Sequence, residues 1–331
     1  MLKDKSTRLP YLKTKRAEVL FAALDDRYLS FAGHLPRPLN SLAHRKSTFE
    51  GDASRAPFAG IGGLNPVLVA TPWLFWEPFQ SLSDDDFLGA AEAGMFFVLA
   101  SVLQDHIIDG QADPVEGTNL FNQALFNRAI RGFQLIFPPD SGFWPHYDRL
   151  TRNHIEGLAT EITIQETPEV IDLAMFKTMA YGKVSPIVTT IAALSTALGA
   201  ERFIEPIEAS LKHIAVASQM LDDIGDWKED IKQGHVTYFL AIVSGVEDGF
   251  WDGKISHYNI QSRINETWED VHQIEGVIDW LDRSVDAVGS IDCPQWLEYV
   301  NGYRVRADQH ARRFIACHMQ QALRPLLKNR G

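Results

Sequence analysis

The chain has 331 residues, 45% of them hydrophobic and 22% charged, which is enough to bury a sizeable core. Its 31 basic against 43 acidic residues leave a net charge of −12, and the densest basic stretch, from Arg304 to Arg313, is interrupted by Asp308, so there is no track for a nucleic acid backbone. Two cysteines, Cys293 and Cys317, argue against a disulfide framework, and the basic, polar residues 1–16 lack the apolar core of a secretion signal; a reducing cytoplasm is the expected compartment.

Residues 34–80 carry Pro36, Pro38, Pro57, Pro66, Pro72 and Pro78, which rules out a long helix there. Residues 1–83 are therefore expected to form an irregular or helical wrapping segment. Its Trp73-Leu74-Phe75-Trp76 run should pack onto the helices of the remaining chain, because exposing so many aromatics is costly. From residue 84 onward the apolar period is near 3.6 and no alternating strand runs appear, which predicts an all-α domain over 84–331, continuous with the wrapping segment in one structural domain. Ser83-Asp84-Asp85-Asp86 is a helix start, and Gly110 and Pro114 close that helix. Further helices are predicted at about 116–136, 143–165, 169–182, 184–199, 201–233, 256–288 and 294–328, with breaks at Pro138-Pro139, Pro168, Gly199, Gly234, Gly253 and Pro294. The most apolar runs, around 95–103 and 184–198, fall short of the ~20 residues a bilayer crossing needs, so they read as buried helices and no stable membrane insertion is expected.

Two acidic patterns stand on these helices. In 219–237, Asp222, Asp226 and Asp230 recur at steps of four, which places them on one helical face with Asp223 beside them. Upstream, Asp105 and Asp109 repeat the step. Carboxylates facing one another raise the cost of ionisation, so such a row is either solvated or binds a hard divalent cation such as Mg²⁺. Long apolar helices between the patterns would make a greasy cavity capped by metal-binding carboxylates, a shape that suits an isoprenoid diphosphate.

Asp105-His106-Ile107-Ile108-Asp109 resembles the first aspartate-rich motif, DDxxD, of the class I isoprenoid synthase superfamily, with His106 in the second place. Gln219-Met220-Leu221-Asp222-Asp223-Ile224-Gly225-Asp226 resembles the second, QxxDDxxD, and Gly234-His235-Val236-Thr237 resembles the Gly-Lys-x-Thr that comes after it in trans-prenyltransferases. The resemblance covers roughly residues 84–240. It implies a helical bundle around a central apolar cavity and three Mg²⁺ ions bridging Asp105, Asp109, Asp222 and Asp226 to a diphosphate, with Asp223 and Asp230 as further metal candidates. It also implies diphosphate contacts from Lys183 or Lys177, from His235 and from Arg304, and a homodimer. Gln219, one turn before Asp222, would orient a ligand or face the substrate cation. Phe97, Ser101 and Val102 lie one and two turns before Asp105, where a substrate tail would run.

Departures from the pattern bear on the subfamily. Chain-elongating members bind isopentenyl diphosphate through paired arginines shortly after the first motif, whereas here no basic residue comes after Asp109 until Arg128. One seat for one allylic diphosphate fits a Mg²⁺-dependent terpene synthase that ionises a linear prenyl diphosphate of roughly C15 to C25 length and releases diphosphate with a hydrocarbon or alcohol. A trans-prenyltransferase joining an allylic diphosphate to isopentenyl diphosphate or another acceptor is the alternative. A non-catalytic partner subunit of a prenyl synthase is the third reading.

Overall fold

A computed structural model describes residues 9–50, 60–108, 117–167, 171–245 and 257–328. Among them no extended strand occurs, and the chain runs through fifteen α-helices. They are α1 (Lys15–His34), α2 (Leu39–Ala43), α3 (Ser47–Glu50), α4 (Pro66–Val69), α5 (Thr71–Leu74), α6 (Trp76–Phe79), α7 (Asp84–Ile108), α8 (Thr118–Ile136), α9 (Phe143–Glu166), α10 (Leu173–Ala197), α11 (Ile204–Gln233), α12 (Tyr238–Ser244), α13 (His257–Thr267), α14 (Glu269–Ala287) and α15 (Pro294–Lys328). The all-α expectation is met. The chain divides into two compact units, one of residues 1–151, 185–208 and 291–296, the other of residues 152–184, 209–290 and 297–331.

The first unit is built on α7. Ser83 starts this helix as the sequence predicts: the Asp86 N–H donates to Ser83 Oγ at 3.1 Å, and the Ser83 hydroxyl donates to Asp86 Oδ2 at 2.7 Å, while Asp84, Asp85 and Asp86 complement the positive end of the helix. At 25 residues α7 is long and apolar enough to span a bilayer, beyond what its apolar run at 95–103 indicated, but 83% of its most apolar window is buried within the protein. Helix α8 approaches α7 closely: a Cβ on Gly132 would lie 2.9 Å from the Ala93 Cβ. Buried Glu92 of α7 is clamped from both sides, by Arg27 Nη1 of α1 at 2.6 Å and by the Arg128 guanidinium of α8. Pairing from two guanidiniums is what makes a buried carboxylate tolerable there. The wrapping segment is more helical than its prolines suggested, with α1 ahead of the Pro-rich stretch and single helical turns inside it. The Trp73–Trp76 run packs as expected; Trp73 meets Phe21 at 5.0 Å and Phe87 at 5.2 Å, and its indole N–H donates to the Ala17 carbonyl at 3.0 Å.

In the second unit, α9 and α10 touch backbone to backbone. A Cβ added to Gly157 would stand 2.6 Å from the Gly182 Cα, and one on Gly182 would collide equally with Gly157. Gly182→Ala is therefore expected to destabilise the protein by about 3 kcal/mol or more, through overpacking that backbone cannot relieve; a urea midpoint unchanged from the native protein would contradict it. Gly182 thus marks a helix crossing, and the predicted break between 182 and 184 does not form: α10 runs on through Pro186. A proline removes the N–H that would bond the carbonyl four residues back. That carbonyl belongs to Gly182, and it lies 3.1 Å from Nδ1 of buried His154 on α9, which supplies the missing donor.

The predicted helix at 256–288 is instead two helices. Trp268, at φ 58°, sits in the left-handed region between α13 and α14, stacked on His318 of α15 at 4.7 Å and 14°. His318 Nε2 lies 2.8 Å from Asp270 Oδ1, and both side chains are buried. An aromatic residue at positive φ is held there by such packing and not by its own preference.

Candidate metal and diphosphate site

Helix α11 carries the second acidic pattern within the second unit. Asp222 and Asp226 are solvent-accessible and Asp230 is partly so. The Asp222 carboxyl is pushed up to about 6, first by loss of hydration among the surrounding protein atoms, then by repulsion from Asp226, against which Arg306 acts. Asp230 is likewise pushed up to about 6 by loss of hydration and by Asp226 and Glu229. Asp223 turns inward. It is only 4% exposed, accepts from Gln219 Nε2 at 2.9 Å, and is raised to about 7 by burial, opposed by the Gln219 hydrogen bond and by Lys183.

This face fits Mg²⁺. Carboxylates that hinder one another's ionisation form a negative row that a divalent cation relieves. Among the described residues no three carboxylate or imidazole groups converge into a closed metal cage. The donor chemistry of the row is that of magnesium, which takes one or two carboxylates and fills its octahedron with water and substrate phosphates. Trp227 is buried beside His257 at 6.0 Å and serves packing.

Solved structures share this architecture. A polyprenyl synthetase from Streptomyces coelicolor A3(2) matches at a TM-score of 0.64 and 18% identity, over 88% of this chain and 99% of that one. A polyprenyl synthase from Caulobacter crescentus CB15, complexed with calcium and isoprenyl diphosphate, matches at 0.67 and 15%, over 89% and 95%. A geranylgeranyl pyrophosphate synthase from Lactobacillus brevis matches at 0.63 and 13%, over 91% and 98%. The chain has the class I isoprenoid synthase fold. No protein-family model matches the sequence, and no curated protein does.

Within the isoprenoid synthase fold the two predicted lysines go to different places. Lys183 donates to Glu161 Oε1 at 2.7 Å and its charge acts on Asp223, so it belongs to the acidic face. Lys177 lies 5.8 Å from the Trp280 ring, and its charge acts on His213. His213 is nine positions before Asp222, about two and a half turns, hence on the opposite side of α11. Arg304 pairs with Asp282. Arg306, two residues on, is the guanidinium that acts on Asp222, and its Cζ stands 4.0 Å over the Tyr303 ring. Tyr299, whose phenol is raised by burial and by a hydrogen bond with Tyr303, completes this corner. The sequence analysis named Arg304 and not Arg306; the signal for the latter is that 299, 303 and 306 share one helical face.

The Gly234–Thr237 segment ends α11 and starts α12. Gly234 takes φ 76°, and the His235 N–H returns to the Asp230 carbonyl at 2.9 Å, closing the helix end that carries the last aspartate. Thr237 caps α12, accepting from the Leu240 N–H at 3.3 Å, and Gln165 brackets Val236 with bonds of 3.1 and 3.2 Å. His235 is therefore held one turn past Asp230.

In the first unit, Asp105 lies on the last turn of α7 and is half-buried, and His106 Nδ1 is 3.3 Å from the Thr48 carbonyl. Asp109 lies outside the described residues. Phe97 is buried in an aromatic cluster with Tyr147 at 5.5 Å, Phe126 at 5.9 Å and Phe133 at 6.3 Å. The Ser101 hydroxyl donates back to the Phe97 carbonyl at 2.9 Å, and Val102 is half-buried. Gln219, bonded to Asp223, serves to position a carboxylate.

Proposed function

We propose that the protein is a trans-prenyltransferase that ionises an allylic prenyl diphosphate and joins the prenyl group to an acceptor such as isopentenyl diphosphate. The observation that carries this reading is the face of α11 on which Asp222, Asp226 and Asp230 stand in one row, with Asp226 repelling the carboxylates on both sides of it. It is supported by the names of the similar structures, which are polyprenyl and geranylgeranyl synthases. Magnesium, when bound, supplies electrophilic stabilisation of the charge that grows on the diphosphate as the allylic C–O bond breaks. Asp222, Asp226 and Asp230 would hold the cation. Asp223, fixed by Gln219 and steadied by Lys183, sets the pitch of the ligand row. Arg306 and Lys183 would donate to the diphosphate oxygens.

A second reading, the terpene synthase that needs a single diphosphate seat, has its own support. The first basic residue after Asp109 is Arg128, and its guanidinium is engaged by Glu92. One assay separates the readings: purified protein with Mg²⁺ and geranyl, farnesyl, geranylgeranyl or geranylfarnesyl diphosphate, each with and without isopentenyl diphosphate, followed by mass spectrometry. Longer diphosphates formed only with isopentenyl diphosphate are the expected result. Hydrocarbons or alcohols formed without it would favour the cyclase, and no product under any condition would leave the non-catalytic subunit.

Position along α15 gives a sharper check. Arg306→Gln is expected to lower kcat/KM by about 10- to 100-fold, the weight of one charge-assisted hydrogen bond to the diphosphate. Arg304→Gln should change it less than about 3-fold, since it removes a half-exposed ion pair with Asp282. Steady-state kinetics of the two variants side by side decide between the residues.

A further inference from the structure

On the side of α11 away from Asp222, the second unit gathers cations from three helices. Lys177 of α10, Lys212 and His213 of α11 and Arg283 of α14 surround Trp280 and Tyr181. His213 lies 5.3 Å from the Trp280 ring, the Arg283 Cζ 4.7 Å and the Lys177 Nζ 5.8 Å, while the Lys212 Nζ stands 5.3 Å from the Tyr181 ring. The three charged side chains all act on His213, and together with burial they favour its neutral form. Its Nδ1 is buried with no hydrogen-bond partner among the described residues. Asp279 pairs with Arg283 at 2.7 Å and stands one turn before it on α14. In a protein of net charge −12, three cationic side chains gathered from three helices around a neutral imidazole, with Asp279 as the acidic partner of Arg283, make a local concentration of positive charge against the prevailing sign.

We propose that Lys177, Lys212, His213 and Arg283 form a binding site for a multiply charged phosphate, a diphosphate group either free or as the head of a prenyl chain, separate from the metal-binding face of α11. A singly charged carboxylate would leave most of the repulsion in place, whereas a diphosphate offers enough charge and acceptor oxygens for several converging donors. The aromatic rings carry these cations on their faces and hold their side chains upright, which reduces the ordering cost of binding. The site is independent of the activity proposed above, since it uses neither the acidic face nor magnesium.

The test is calorimetric titration of the full-length protein in EDTA, which silences the metal site, with inorganic diphosphate, farnesyl diphosphate, sulfate and chloride as probes. Diphosphate is expected to bind in the micromolar to low-millimolar range, and Lys177→Gln combined with Arg283→Gln should weaken it at least tenfold with the circular dichroism spectrum retained. Asp222→Asn should leave the affinity as it is. Equal binding of both diphosphates would assign the ligand as the bare anion, and preference for the farnesyl compound would assign the prenylated form; either supports the site. No heat at several millimolar, equal binding by sulfate and chloride, or an affinity unmoved in the double variant would overturn it. Loss of the tryptophan fluorescence response to diphosphate in Trp280→Phe provides a second readout that a general loss of positive charge would not produce.

Discussion

Asp222→Ala is expected to lower turnover of a prenyl diphosphate by about 10³-fold, which is about 4 kcal/mol of transition-state stabilisation, while leaving helical content intact. The magnitude is the one the proposed role as a magnesium ligand implies: losing it would misplace the cation that would take up charge from the leaving group, and one misplaced electrostatic partner costs at least two orders of magnitude. The fold should not suffer, because Asp222 is solvent-accessible and is repelled by Asp226. Steady-state kinetics with saturating Mg²⁺, together with a melting curve in EDTA, check both halves. Activity within tenfold of the native level would remove Asp222 from the site. A pH dependence accompanies it. A protonated carboxyl cannot hold a cation, and Asp222 and Asp230 are both raised to about 6. Apparent Mg²⁺ affinity should therefore fall steeply as pH drops from 8 to 5, and a flat profile would contradict the assignment.

Asp223→Asn should act in the opposite direction on stability. The folded chain raises this carboxyl from 3.8 to about 7, so its ionised form is disfavoured by folding. The destabilisation therefore begins as pH rises past the unfolded value, 3.8, and is complete above about 7. Its full size is about 4 kcal/mol at most, at 1.36 kcal/mol for each factor of ten. Asparagine keeps an oxygen for the Gln219 amide to donate to and removes the charge. In EDTA at pH 8 the variant is expected to unfold at a higher urea concentration than the native protein, by the equivalent of about 2–4 kcal/mol, with the gap narrowing as pH falls to 5. A variant less stable than native at pH 8 would mean that the ionised carboxylate, held by Gln219 and Lys183, is a net stabiliser. With magnesium present the comparison should tighten, because bound cation favours the ionised row.

The parts of this fold that sequence reading recovered are those governed by local spacing. Four-residue steps place Asp222, Asp226 and Asp230 on one side of a helix whatever surrounds it, and Ser83 with three aspartates caps α7 by contacts within one turn. Errors arose where a residue answers to a distant partner. Gly182 reads as a break but serves a helix crossing with Gly157, and Pro186 is tolerated because His154 reaches its orphaned carbonyl. Trp268 carries no turn signal at all, and its left-handed backbone is stabilised by a ring on α15. Lys177 and Lys183 are equally plausible in sequence, and only their neighbours, Trp280 for one and Glu161 for the other, separate them. Arg304 and Arg306 differ by two positions, about 200° around a helix, and that rotation decides which faces Asp222.

The Gly157–Gly182 contact carries a consequence for tuning this protein. Where backbones meet without intervening side chains there is no compressible layer, so α9 and α10 cannot ratchet past one another by small increments. Lys183 is the next residue after Gly182, and Glu161, its partner, stands one turn beyond Gly157. The ammonium is thus delivered from a fixed ruler, and its reach is set by the length of the lysine stem alone. Shortening or lengthening that stem by one methylene would shift the charge without any compensating glide of the scaffold.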